Sequence, residues 1–231
     1  MKRLRLLAVL LCSASASSVA AARTPFQARC EDTIGATVTT LTARDAGYTI
    51  NNSLSTMDLA RLKTGQHPDR FVLGLTRTEA RMSVKLSAQV LSDRASGQEC
   101  LAPQVEVALS YAPIVIYVGS QFQPGTCAYE EVLAHEMRHL KAYLDHLPRV
   151  ETVVRTALKQ RFADKPMYAP AGQGKALLEQ EINAGWMPYF KKQMGEVAQI
   201  QAAIDSPQEY ARLSKICKGE VQFFVDSQKR K

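Results

Sequence analysis

Apolar and polar residues alternate with period two through much of the first half of the chain and gather into helical stripes in the second. Between Arg81 and Val90 the alternation is clean: Met82, Val84, Leu86, Ala88 and Val90 share a face opposite Ser83, Lys85, Ser87 and Gln89. Such a period puts one side of the segment on a core and the other in water, which predicts a half-buried strand. Ala36 to Leu41, Phe71 to Thr76 and Val105 to Leu109 read as shorter strands. Pro113 to Val118 is nearly continuous in apolar residues and stops before Gly119 and the Pro124-Gly125 turn. Met57 to Leu62 supplies one or two helical turns between the early strands.

The period changes at Thr126. From there to Leu147 the residues TCAYEEVLAHEMRHLKAYLDHL form one amphipathic helix. Pro148 is expected to kink or end it, with Arg149 to Phe162 starting another, since proline suits a first turn. Ala163 to Gly174 carries Pro166, Pro170, Gly172 and Gly174 and reads as a loop able to cover a cleft. Lys175 to about Ile204 is a long helix interrupted by Gly185 and Gly195. Ser206-Pro207-Gln208-Glu209 is a capping box that starts a last helix carrying Cys217, and the terminal DSQKRK is expected to fray. The fold class is therefore α+β: an antiparallel or mixed sheet from the N-terminal half, packed against a helical C-terminal half.

Placing the central helix on a wheel at 100° per residue separates three faces. Leu133, Met137, Leu140, Leu144 and Leu147 fall in an arc of about 120° to 200° from His135, a stripe suited to a core. Ala134, Arg138, Lys141 and Asp145 fall at about 240° to 300°, on the solvated side. His135, Glu136 and His139 share the remaining arc with Glu131, Val132 and Tyr143. Histidines serving only as core filling would sit among the leucines. Here the polar chemistry has its own face.

Residues 135 to 139 read HExxH. Imidazoles four residues apart are about 40° apart around the axis and about 6 Å along it, a bite that suits one tetrahedral zinc ion. The carboxylate between them can take a proton from a zinc-bound water and pass it to a leaving amine. On these residues the chain resembles the zincin metallopeptidases, over about a tenth of its length. The resemblance implies that His135 and His139 bind zinc, that Glu136 is the general base and acid, and that an extended peptide lies along an edge strand beside the helix. A strand within residues 81 to 118 is the candidate for that edge.

A catalytic zinc needs a third protein ligand. Asp145 stands six residues beyond His139, but nothing in LKAYLD breaks the helix, and a continuous helix points Asp145 off the site. His146 is about 10 Å further along the axis than His139 and is expected to be an ordinary surface histidine. Glu181 fits best, as the gluzincin arrangement would have it. It is flanked by Leu177, Leu178, Gly185 and Tyr189, and a carboxylate among apolar neighbours needs a positive partner. Zinc would serve, and so would an arginine. Glu179 is the reserve. Gly185 would let this helix approach the motif helix closely. Because glycine stands where some gluzincins carry an acid, Glu131 or another acid must orient the histidines. Tyr143, Tyr168 and Tyr189 are the candidates for oxyanion stabilisation.

Residues 1 to 22 read as a cleaved export signal, with Lys2, Arg3 and Arg5 before the apolar run Leu6 to Leu11 and a small-residue stretch ending at Ala22. Its apolar part is too short to span a bilayer, so no stable membrane insertion is expected once it is removed. Its loss takes the formal charge from +7 to +4. So mild a balance, without a basic run interleaved with aromatics, does not point to nucleic acid. Cys30, Cys100, Cys127 and Cys217 remain, an even number without CxxC spacing, which favours two disulfides in any of three connectivities. The remaining length, about 209 residues, suits a single domain spanning 23 to 231. The sequence thus describes a secreted or periplasmic peptidase with one zinc ion, acting on a peptide or protein. A cell-wall amidase with the same chemistry, or a disulfide-braced binding protein whose zinc site is structural or absent, are the alternatives.

Overall fold

A computed structural model describes residues 23–64, 72–162 and 165–229. Residues 1–22, read above as an export signal, and Phe71, Ala163, Asp164, Arg230 and Lys231 lie outside the described residues. Two mixed sheets dominate the first half. In the larger, β4 (Ala80–Asp93) and β5 (Gln98–Tyr111) form a long antiparallel hairpin with Val84 opposite Val107 and Leu86 opposite Val105. β1 (Val38–Ala43) runs parallel to β5 on its other edge. The smaller sheet is ordered β2 (Tyr48–Asn51), β6 (Ile114–Val118), β3 (Gly74–Arg77), with β2 parallel and β3 antiparallel to β6. The strand alternation around Met82 to Ala88 turns one face to the core, where Met82, Val84 and Leu86 pack against buried residues.

Several elements differ from the expectation. The first element among the described residues is a helix, α1 (Pro25–Thr33), that periodicity did not announce. Its start is nevertheless written in Thr24-Pro25-Phe26-Gln27: Thr24 Oγ1 accepts from the Gln27 amide at 3.2 Å, and Gln27 Oε1 accepts from the Thr24 amide at 2.8 Å. Met57 to Leu62 extends to α2 (Thr56–Thr64). The segment read as a covering loop contains β7 (Met167–Pro170), which pairs antiparallel with the start of β5 and places Tyr168 opposite Cys100. Its β-forming Met-Tyr-Ala finds an unpaired edge, and that edge outweighs the flanking prolines and glycines.

The motif segment is part of one helix, α3 (Cys127–Phe162), that passes through Pro148 without ending. Pro148 is exposed, and the amide it lacks would have bonded the Leu144 carbonyl one turn back. Beyond it, buried Val150, Val154, Leu158 and Phe162 extend the stripe begun by Leu140 and Leu147. Packing on both sheets carries the helix past the proline. His146 corrects another expectation, because it is 7 % exposed rather than on the surface. Its Nδ1 is 2.8 Å from the Tyr111 hydroxyl, which donates to the Met194 carbonyl at 2.7 Å. The wheel put His146 on the polar face correctly, but a later helix closes over that end of it.

After β7 come α4 (Gly174–Glu181), a π-helical turn over Ile182–Trp186, α5 (Met187–Gly195) and α6 (Val197–Ile204). Gly185 faces open space and mediates no close helix contact. Ser206 caps α7 (Pro207–Lys215) by accepting from the Glu209 amide at 3.2 Å. Cys217 does not belong to that helix: Cys217 and Lys218 adopt positive φ, 51° and 55°, and a new helix, α8 (Glu220–Lys229), follows and takes in Asp226 to Lys229 of the segment expected to fray. Two disulfides, Cys30–Cys100 and Cys127–Cys217, fasten α1 to β5 and the start of α3 to the end of α7. Among the described residues no helix is long and apolar enough to cross a membrane.

Burial holds the His146 pKa below its ordinary 6.5, with Arg149 adding to the shift and Glu196 opposing it. The unfolded chain then binds a proton that the folded chain resists, so this histidine's contribution is full above pH 6.5 and is lost as pH falls below it. We expect Tm to drop between pH 7.5 and 5.5, and to drop less in His146→Gln. Calorimetry of both proteins at the two pH values checks this.

Candidate metal centre

The polar face of α3 is covered by the corner where α6 meets α7. His135 Nε2 and His139 Nε2 are 3.1 Å apart, and Asp205 Oδ1 is 3.1 Å from the first and 3.2 Å from the second. Ligands at tetrahedral vertices about 2.0–2.1 Å from zinc are about 3.3–3.4 Å from one another. The three atoms therefore already have close to the spacing of three tetrahedral vertices. Together they form a group, among the described residues, that could hold one metal ion. Their chemistry, two imidazoles and a carboxylate, suits zinc.

Outer partners aim these ligands. Gln201 clamps His139 at two points: its Nε2 donates to the His139 carbonyl at 3.1 Å, and its Oε1 accepts from His139 Nδ1. That fixes the proton on Nδ1 and leaves Nε2 as a lone pair facing the triangle. His135 Nδ1 is 3.3 Å from Glu209 Oε1 and 2.8 Å from an Arg138 guanidinium nitrogen. A guanidinium can only donate, so beside Arg138 this nitrogen accepts; with Nε2 given to a cation, the proton would move to Nδ1 and go to Glu209, leaving Arg138 its bonds to the Glu209 carboxylate. Hydrogen bonds from Arg212, then Arg138 and His135, hold the Glu209 carboxyl down at about 2 against the opposing effect of burial. Arg138, placed by the wheel on the solvated side, thus reaches round to the site. Burial, then the neighbouring His139, lowers the His135 pKa, which favours the neutral ligand form.

Glu136 stands beside the triangle, 4 % exposed. Thr76 Oγ1 lies 2.9 Å from its Oε2 and 3.0 Å from its main-chain carbonyl. Burial pushes its carboxyl up to about 7, against the lowering effects of His139 and Thr76. Gly74 makes this closeness possible, since a Cβ there would lie 2.7 Å from Glu136 Oε1 and 2.8 Å from a Val132 methyl. Both residues belong to β3, whose far edge from β6 lines a cleft of about 910 Å³ that also holds Glu136, the two histidines and Asp205. The edge strand beside the motif is therefore β3, not a strand from 81 to 118.

Glu181 is not at the triangle. Its Oε1 accepts from Arg161 Nε at 2.7 Å and from the Trp186 indole at 3.2 Å, so its positive partner is an arginine. Asp205 occupies the third corner instead. Glu179 is an exposed neighbour of Lys175, Asp145 pairs with Lys141, and Glu131 pairs with Arg212. Glu209 takes the orienting role considered for Glu131. Of the tyrosines, Tyr143 lines the cleft but stacks on Tyr111 at 4.8 Å, Tyr168 packs near Cys30–Cys100, and Tyr189 packs on Trp186. Tyr210 lies closer to the chemistry. It lines the cleft, and burial followed by the Asp205 carboxylate pushes its phenol up to about 12. Gln201 lies on α6, Asp205 caps its end and Glu209 opens α7, so no single helical period in the sequence joins the three.

The chain matches no family model, no curated protein and no solved structure.

The two ligand assignments separate in one experiment. In purified protein equilibrated with zinc, Asp205→Ala is expected to lose stoichiometric metal, whereas Glu181→Ala keeps it and loses only thermal stability through the unpaired Arg161. Elemental analysis beside a thermal melt reads both.

Proposed function

We propose that the protein is an exported zinc-dependent peptidase in which His135, His139 and Asp205 hold the metal and Glu136 moves the proton. The observation that carries this reading is the near-tetrahedral triangle opening into a cleft beside a buried carboxylate. A purely structural zinc site is closed by four protein ligands, while three ligands and an open fourth direction suit a catalytic one. Export is supported by the N-terminal signal pattern and agrees with two disulfides.

A zinc ion in the triangle would supply Lewis acidity and lower the pKa of a water beside it. The rest falls to the chain. An extended peptide pairs its main chain with the edge of β3 away from β6, unpaired among the described residues, which brings a carbonyl over the triangle. Glu136 takes the proton from the attacking water, Thr76 keeping its carboxylate turned to the cleft, and then delivers that proton to the leaving amine. Tyr210, on the opposite wall, is placed to donate to the developing oxyanion. Gln201 keeps His139 in the tautomer with Nε2 free, and Glu209 is the acceptor for the His135 Nδ1 proton when Nε2 faces a metal.

Glu136→Gln is expected to retain zinc and to lose about 10²–10⁴-fold in peptide hydrolysis, the usual contribution of general-base catalysis. Metal content measured beside cleavage of a mixed peptide library decides it. A protein that binds zinc and cleaves nothing before substitution would overturn the reading.

A further inference from the structure

The cleft is not chemically uniform along its length. Val132 stands one helical turn before Glu136, and Tyr143 one turn after His139, and both line the cleft. They are eleven residues apart on α3, about 16 Å along the axis, enough for about five residues of extended peptide. The triangle and Glu136 lie between them. At the Tyr143 end the walls are polar or aromatic, with Gln201 opposite.

The Val132 end is different. Val132, Leu213 and Val221 are 2 %, 5 % and 2 % exposed and form its floor. Leu73 from the strand side and Val225 from α8 continue the same lining, and the side chains of Ser214 and Gln222 complete the wall. Of the charged groups that line the cleft, Lys63 pairs with Asp205 at 3.9 Å, and Glu136, one helical turn from Val132, bounds these apolar residues on the side of the triangle. Such a lining favours an apolar group over solvent, and nothing in its apolar floor could compensate a buried charge.

Resting on the peptidase reading above, we infer that this chamber selects the substrate: it receives a large apolar side chain of an extended peptide, on the Glu136 side of the bond to be cut. The continuity of chamber and metal triangle in one cleft fixes its role. A peptide lying along β3 alternates its side chains, so one position beside the scissile bond points into the chamber while its neighbours face solvent. Tyr210 and Leu213, on one face of α7, join the two regions.

The test uses the full mature chain carrying Glu136→Gln, loaded with zinc, and five hexapeptides that differ only in a central residue, Gly, Ala, Leu, Phe or Asp. Affinity is read by calorimetry. The Leu and Phe peptides are expected to bind about 10–100-fold more tightly than the Gly peptide, the value of burying such a side chain. Adding Val225→Trp, at the partly exposed end of the chamber, is expected to erase most of that difference while zinc content stays stoichiometric. Equal affinity for all five, preference for Asp, or no binding of any peptide overturns the inference. The unsubstituted chain then separates the two claims. Hydrolysis without apolar preference leaves the peptidase reading standing and removes the chamber's role. Apolar binding without hydrolysis does the reverse.

Discussion

The seam between the polar face of α3 and the α6–α7 corner is the constraint on which the rest of the site depends. Buried imidazoles and carboxylates are costly unless each finds a partner, and here partners come in a chain: Gln201 to His139, Asp205 to both histidines, Glu209 to His135 and two arginines. Moving the corner by one helical residue would leave several of these groups unpaired at once. The register of two helices 60 to 70 residues downstream of the motif is therefore held by hydrogen bonding as much as by apolar packing.

Covalent structure reinforces the same seam. Cys127 opens α3 and Cys217 follows α7, so their disulfide closes a segment of 90 residues that contains both histidines, Glu136 and every group on the corner. Closing so long a loop removes much conformational freedom from the unfolded chain. The positive-φ turn at Cys217 and Lys218 then redirects the chain into α8, which returns to wall the apolar end of the cleft. On the other side β3 stands close to the helix only because residue 74 has no side chain. The cleft is thus bounded by one strand, one long helix and one disulfide-held corner.

Much of this was legible in one dimension. Alternation located β4 and part of β5, a continuous apolar run located β6, and the wheel of α3 separated the leucine stripe from the face that in fact lines the cleft. Local capping residues marked α7 and could have marked α1. Errors arose where distant partners competed with local preference. A vacant sheet edge turned a proline- and glycine-rich segment into β7, core packing carried α3 through Pro148, and the closure of α5 buried His146 against Tyr111 and Met194. Glu181 was correctly judged to need a positive partner, but local context cannot distinguish a metal from a guanidinium, and Arg161 was the partner.

The order of residues alone determined the α+β class, the amphipathic helix and the convergence of two imidazoles with a carboxylate between them. These follow from helical and strand periodicity, which act over a few residues. Which acid completes the triangle, which strand borders it and which cysteines pair were decided only in three dimensions. Each of those choices joins groups tens of residues apart, where the winner is set by the packing of whole elements and by the cost of leaving any buried polar atom without a partner.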